Sequence, residues 1–332
     1  MNECRFASSA DDAERATAAV VDPLDMVVIL PCYNEAHAIA SVVADMRAAL
    51  PTARIHVFDN NSTDDTAGEA RRAGAHVHRV GMQGKGNVIR QAFALLDADI
   101  YLIADGDGTY DARSAPELVR RLVVDELDMV VGARRSSDPN AYRHGHRAGN
   151  WLFNVGVRML FGREVRDIFS GYRVMSRPFV KSFPALATGF ETETELFLHA
   201  VSLRLPFAEL QTAYGARQRG SHSKLNSIRD GTRIALYMLR LLKHVRPLVF
   251  FGMLTGIAVL IGLLLGLPVV FEYLETGQVL RFPTAFAAAS VFVIAAVCLS
   301  SGLALDGVSM TQREQKRLVY LSVERWRRDP PC

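Results

Sequence analysis

The chain has 332 residues, 49% hydrophobic and 22% charged, with 38 Lys and Arg against 35 Asp and Glu for a net charge of +3. This balance excludes an intrinsically disordered chain and shows no overall basic excess of the kind that marks a nucleic-acid partner. The four cysteines, Cys4, Cys32, Cys298 and Cys332, form no CxxC pair, so neither a zinc site nor a disulfide framework is indicated, and a reducing compartment fits.

Length alone predicts about two domains. Residues 1–25 form an Ala- and Ser-rich leader punctuated by Asp11, Asp12, Glu14 and Arg15, expected to be disordered and unlike a signal peptide. Beyond it, Met26 to Leu30, Ile55 to Phe58, His76 to Val80, Ile100 to Ala104 and Met129 to Val131 have the short apolar pattern of strands. Ile39 to Leu50, Asp64 to Ala73, Asn87 to Leu96 and Ala115 to Val124 alternate with them and have the pattern of helices. That alternation predicts an α/β domain over residues 26–226, a mostly parallel sheet with helices on both faces.

Residues 227–246 place Ile234, Leu236, Leu239, Leu241 and Leu242 among Arg229, Arg233, Arg240 and Lys243, an amphipathic helix expected on a membrane surface. Within residues 247–306, the runs 248–271 and 283–305 carry no charge, and each is longer than the roughly 20 residues that cross a bilayer. A two-helix hairpin follows. Arg233, Arg240, Lys243 and Arg246 precede the first run, and Arg313, Lys316, Arg317, Arg325, Arg327 and Arg328 lie in the basic tail, 307–332. The loop between the runs has only Arg281 against Glu272 and Glu275, so both chain ends and the α/β domain are expected on the cytosolic side of the plasma or inner membrane.

Parallel sheets bind ligands beyond the carboxyl ends of their strands. Polar clusters stand at those ends: Pro31-Cys32-Tyr33-Asn34-Glu35 after the first strand, Asp59-Asn60-Asn61-Ser62-Thr63-Asp64 after the second, and Asp105-Gly106-Asp107-Gly108-Thr109-Tyr110-Asp111 after the fourth. No dinucleotide-type glycine turn follows the first strand, and Gly81 to Gly86 lacks the spacing of a phosphate-binding P-loop, which disfavours hydride chemistry and simple NTP hydrolysis. Asp105 and Asp107, spaced around a glycine, can present hard oxygen ligands to one divalent cation, Mg2+ or Mn2+.

On these motifs the chain resembles a family-2 glycosyltransferase of the GT-A fold, in the branch of dolichol-phosphate mannose synthases and bactoprenol glucosyltransferases. The resemblance runs from about Met26 through Lys224 and continues into the membrane hairpin. It implies that Pro31, Tyr33, Asn34, Glu35 and Asp59 hold the nucleoside of a nucleotide sugar, and that Asp105 and Asp107 carry the metal that bridges its diphosphate. A carboxylate can accept a base N–H, and a tyrosine can pack on the ring. Lys85, at a helix start in Gly84-Lys85-Gly86-Asn87, suits the anionic donor.

Val131-Gly132-Ala133-Arg134 resembles the family's strand-end Gly-Ser-Arg, with Arg134 expected near phosphate. Tyr214 to Lys224 resembles a loop that closes over the site, with Arg217 and Lys224 expected to neutralise the leaving pyrophosphate. Arg147, Ser223 and Lys224 are the expected contacts of an acceptor phosphate. Asp167 to Arg173 and Gly189 to Glu195 look like segments flanking the acceptor.

The leading expectation is inverting transfer of one hexose, from a UDP-glucose or GDP-mannose type donor, to a polyprenyl or dolichyl phosphate. A hydroxyl acceptor would require a carboxylate base, whereas a phosphate monoester is largely dianionic at neutral pH and does not. The alternatives are transfer to a hydroxyl of a glycolipid or polysaccharide, and a non-catalytic sugar-nucleotide-binding scaffold. Two spans leave room for a homo-oligomer.

Overall fold

The computed structural model describes residues 24–136, 167–189, 191–215, 242–243 and 246–326. Arg147, Arg217, Ser223 and Lys224, most of the expected surface helix 227–246, and nearly all of the leader lie outside the described residues. The chain divides into two units, residues 1–224 with 316–332, and residues 225–315.

In the first unit the strands are β1 (Met26–Cys32), β2 (Arg54–Asp59), β3 (His76–Arg79), β4 (Ile100–Ile103), β5 (Met129–Ser136), β6 (Arg173–Ser176) and β7 (Phe207–Tyr214). The helices are α1 (Ile39–Ala49), α2 (Thr66–Arg72), α3 (Lys85–Leu95), α4 (Ala115–Val124), α5 (Arg177–Ser182) and α6 (Thr192–Ser202). The strands form one seven-stranded sheet in the order β3-β2-β1-β4-β6-β5-β7. Neighbours are parallel except at β6, which runs antiparallel to both β4 and β5. This is the α/β, mostly parallel architecture that the sequence pattern predicts.

The sheet separates two apolar layers. Along β1, Met26, Val28 and Leu30 face one layer while Val27 and Ile29 face the other, which is why the strand is an unbroken apolar run rather than an alternating one. Helix α1 buries Ile39, Val42, Val43 and Met46, and α4 buries Leu118, Val119, Leu122 and Val123, each a stripe at three- and four-residue spacing. Leu24 packs against the first layer, and Asp25 accepts from Arg54 Nη2 at 2.7 Å, so the last two residues of the expected leader belong to the folded domain.

The β6, α5, α6 and β7 elements are absent from the sequence-based expectation. β6 is four residues, all buried, and includes Arg173 at 1% exposure, so it shows neither an apolar run nor a period.

The second unit contains α7 (Pro247–Thr276) and most of α8 (Phe282–Ser322), two helices long and apolar enough to cross a membrane. At 30 and 41 residues they outrun the charge-free segments, α7 passing through Glu272 and Glu275 and α8 continuing to Ser322. Small residues line their contact. A Cβ on Gly302 would meet Phe251, one on Gly262 would meet Phe292, and one on Gly266 would touch Ala288. The buried positions of α8, Ala288, Ala295 and Gly302, recur every seventh residue, so the two helices approach along one seam.

Residues 316–326 belong to the first unit. Tyr320 and Trp326 pack against its two apolar layers. Tyr320 OH donates to Asp128 Oδ2 at 2.9 Å, and Arg325 Nη2 reaches Asp128 Oδ1 at 3.3 Å and the Leu127 carbonyl at 2.5 Å. Asp128, fully buried just before β5, therefore receives its charge partner from nearly 200 residues away.

Candidate active site

The carboxyl ends of β2, β1 and β4 lie side by side, and their polar clusters are joined mainly through backbone N–H groups and side chains. Asn34 stands in the left-handed region at φ 58, and its Oδ1 accepts from Thr63 N at 2.7 Å. Ser62 Oγ accepts from Asn34 N at 3.0 Å, and Thr66 Oγ1 from Glu35 N at 2.9 Å. Asp59 is buried and caps its own turn by accepting from Ser62 N at 3.1 Å. Asn34 and Asp59 thus shape the loop between β2 and α2, while Tyr33 is 48% exposed and leaves its ring open to stacking.

Asn60 ties the second cluster to the segment that follows β3. Its Nδ2 donates to the carbonyls of Val80 and Met82, and its Oδ1 accepts from Gly84 N at 2.7 Å. That fixes the start of α3 and the base of Lys85. The backbone there is tightly walled, since a Cβ on Gly86 would lie 2.2 Å from the Ala187 carbonyl.

The turn after β4 places Asp105 and Asp107. Gly106 N donates to the Pro31 carbonyl at 3.3 Å, and a Cβ on Gly106 would sit 2.3 Å from Cys32 Sγ, so any larger residue between the two carboxylates must displace the thiol or the turn. Asp107 is buried, and its Oδ1 accepts from Thr109 N at 3.1 Å and Thr109 Oγ1 at 2.6 Å. Asp105 Oδ1 lies 2.5 Å from Lys85 Nζ, and the same ammonium lies 2.6 Å from Glu193 Oε1, at the start of α6. Burial pulls the Lys85 ammonium down, but Asp105 and then Glu193 outweigh it and hold its pKa well above the usual lysine value. The backbone of Gly171 closes over this pair, and a Cβ there would fall 2.8 Å from Lys85 Nζ and 3.0 Å from Asp105 Oδ2.

At the end of β5, Arg134 grips Asp167 with Nε at 2.7 Å and Nη2 at 2.8 Å, its backbone N–H adding a third bond at 3.1 Å. Its guanidinium also lies 5.5 Å from the Tyr214 ring centre. Burial opposes the charge, but the Asp167 hydrogen bonds raise the Arg134 pKa further above its normal value. The segment that follows is held from inside by Arg173, which donates to the Ile168 carbonyl at 2.6 Å and the Ser170 carbonyl at 3.0 Å. Gly171 N donates to Tyr110 OH at 2.8 Å, completing the wall.

The profile of Glycosyl transferase family 2 matches residues 27–183, the stretch that carries these clusters. Glycosyltransferase AglJ of Haloferax volcanii is 35% identical over 253 residues, covering 76% of this chain and 83% of AglJ. The chain belongs to glycosyl transferase family 2. It is a glycosyltransferase. The Dolichyl-phosphate hexose transferase of the same organism is 29% identical over 212 residues, covering 63% of this chain and 90% of that protein. A solved structure of glucosyl-3-phosphoglycerate synthase from Mycobacterium tuberculosis, in complex with Mn2+, UDP and phosphoglyceric acid, aligns with a TM-score of 0.56. It covers 68% of this chain and 80% of that one, and at 22% identity the likeness speaks for the GT-A fold.

In this family-2 glycosyltransferase Pro31, Tyr33, Asn34, Glu35 and Asp59 gather at the ends of β1 and β2, and Lys85 joins Asp105. Arg134 is engaged by Asp167. What the sequence did not disclose is the pairing. Neither Lys85 with Glu193 nor Arg134 with Asp167 is signalled by local spacing, the members being 108 and 33 residues apart by number. Among the described residues no group of three or more His, Cys, Asp or Glu is arranged to hold a metal ion. Asp105 and Asp107 offer hard carboxylate oxygens of the kind Mg2+ or Mn2+ prefers, and would hold such an ion only if its remaining ligands came from other groups.

Proposed function

We propose that this family-2 glycosyltransferase moves one hexose from a nucleotide sugar to a polyprenyl phosphate at a membrane surface, with inversion at the transferred carbon. The observation that carries the acceptor class is the pair of helices, α7 and α8, each long and apolar enough to cross a bilayer. Anchoring confines the catalytic domain to the surface where a polyprenyl phosphate headgroup lies and from which its tail cannot leave. Similarity to a protein named Dolichyl-phosphate hexose transferase supports the same class. The basic flanks, among them Arg246, Arg313 and Arg317, support a cytosolic catalytic domain.

The state of the carboxylates also favours a phosphate acceptor. Asp167 is held by Arg134, Glu193 by Lys85, and Glu195 accepts from Leu186 N at 3.0 Å and Ala187 N at 2.9 Å. A carboxylate held by a cation is a poor general base, and a dianionic phosphate needs none.

In this reading Tyr33, Glu35 and Asp59 line the nucleoside, and Asp105 and Asp107 hold a divalent cation, which would neutralise charge on the donor diphosphate. Lys85 faces the donor phosphates, and Arg134, Arg217 and Lys224 offset the charge that builds on the departing nucleotide. Arg147 and Ser223 would join Lys224 at the acceptor phosphate. Membranes containing the protein, given radiolabelled UDP-glucose or GDP-mannose with and without added polyprenyl phosphate, test the proposal. The expected product is lipid-soluble and labile to mild acid. Its absence with every common donor would overturn the acceptor class.

A further inference from the structure

Lys85 is more constrained than a phosphate-seeking surface lysine. Its ammonium is shared between Asp105 Oδ1 at 2.5 Å and Glu193 Oε1 at 2.6 Å, and only 12% of its side chain is exposed. The helix start beneath it is fixed by Gly84 N donating to Asn60 Oδ1, and the wall above it is the Gly171 backbone. The ammonium therefore already serves as counter-ion to one of the two carboxylates expected to receive a divalent cation. A cation arriving at Asp105 would meet a fixed positive charge in a poorly solvated setting, where like charges repel strongly.

Glu193 gives the ammonium somewhere to stay. It is 5% exposed, it holds Lys85 through one oxygen, and its other oxygen, Oε2, is buried without a hydrogen-bond partner among the described residues. When Lys85 gives up Asp105, Glu193 can take the ammonium with both oxygens. Neither buried charge is then stranded, the condition under which breaking such a pair is most costly.

We propose that Lys85 is an internal competitor for the metal site and that Glu193 is the positioning residue that receives its ammonium when it gives up Asp105, so that a divalent cation binds poorly alone and well together with the donor diphosphate. The diphosphate supplies the negative charge that draws Lys85 away from Asp105, which couples the two ligands. This rests on the reading of Asp105 and Asp107 as metal ligands.

The test is Mn2+ binding to the full-length protein in detergent, read by electron paramagnetic resonance of free Mn2+, with and without UDP or GDP. Wild type is expected to bind Mn2+ weakly alone and on the order of tenfold or more tighter with the nucleotide. Lys85→Met is expected to bind Mn2+ alone about tenfold tighter than wild type, with a smaller gain on adding nucleotide. Glu193→Gln leaves the ammonium to Asp105 alone and is expected to weaken Mn2+ binding several-fold. Arg113→Gln, which removes an exposed cation that pairs with Asp111, is expected to change nothing and controls for general charge.

Unchanged or weaker Mn2+ affinity in a folded Lys85→Met protein, with wild type binding normally, would overturn the competition while leaving the metal site standing. Failure of wild type to bind Mn2+ with either nucleotide would overturn the metal reading and this inference with it. Should Lys85→Met not fold by circular dichroism, Glu193→Gln decides, and an unchanged affinity there would overturn the proposal.

Discussion

Gly106 is the point at which the turn carrying Asp105 and Asp107 touches the first strand. A methyl there would lie 2.3 Å from Cys32 Sγ, so Gly106→Ala must displace either the thiol or the turn that aims Asp105 and Asp107. Overpacking of this kind costs about 1–3 kcal/mol. Sugar transfer by Gly106→Ala is expected to fall well beyond what its thermal stability loses, and Cys32→Ala in the same chain is expected to restore much of both. A double mutant no better than the single would mean that the clash lies elsewhere. At the same scale, burial lowers the pKa of His199 to about 3, and burial with the neighbouring His78 and His76 lowers that of His56 to about 4. Both rings stay neutral in the fold but accept a proton near pH 6.5 once unfolded, so the unfolded state binds more protons below that pH. Their contribution to stability is complete above pH 6.5 and declines as the pH falls towards 4. Melting temperature is expected to drop between pH 7 and pH 5, and His199→Gln or His56→Gln should flatten that slope.

Among the elements, the end of β5 and the segment leading into β6 depend on one bidentate ion pair. Arg134 and Asp167 meet through two side-chain bonds, and the Asp167 backbone N–H donates to Glu209 Oε1 on β7 at 3.2 Å. Arg134→Lys keeps the charge and loses the planar fork, while Asp167→Asn keeps the shape and loses the charge. Both are expected to lower the transfer rate on the order of 10- to 100-fold, with far-ultraviolet circular dichroism unchanged, because small displacements of site groups weaken catalysis steeply. A full rate from Arg134→Lys would show that the fork is dispensable. The strands and helices from β1 to β5 were legible in sequence, since each is a local pattern of apolar spacing bounded by turn residues. β6 was not, because four residues that bury an arginine carry no period; its place between β4 and β5 depends on contacts made with both.

For the whole molecule, the C-terminal end of α8 and the residues that follow it, from Lys316 on, belong with the catalytic domain. Tyr320 and Arg325 reach the fully buried carboxylate of Asp128, and Arg177 Nη1 donates to the Glu324 carbonyl at 3.3 Å. Tyr320→Phe removes one donor from a buried charge and is expected to destabilise the domain by about 1–3 kcal/mol. Truncation after Gln315, which also removes Arg325 and Trp326, is expected to lower the melting temperature further. Thermal unfolding of the two proteins in the same detergent checks both, and wild-type melting after truncation would show that the removed segment adds nothing to the domain.

By itself the sequence determined what acts over a few residues: the strands and helices from β1 to β5, the two charge-free runs, and the polar clusters at the strand ends that resemble family 2. Those signals survive in a linear chain because apolar period, turn chemistry and net charge are local quantities. Only the tertiary structure decided which charges meet. Lys85 with Asp105 and Glu193, Arg134 with Asp167, and Arg325 with Asp128 join residues brought together by sheet order and helix packing. Coulomb attraction between two side chains depends on their separation in space, which no spacing along the chain encodes.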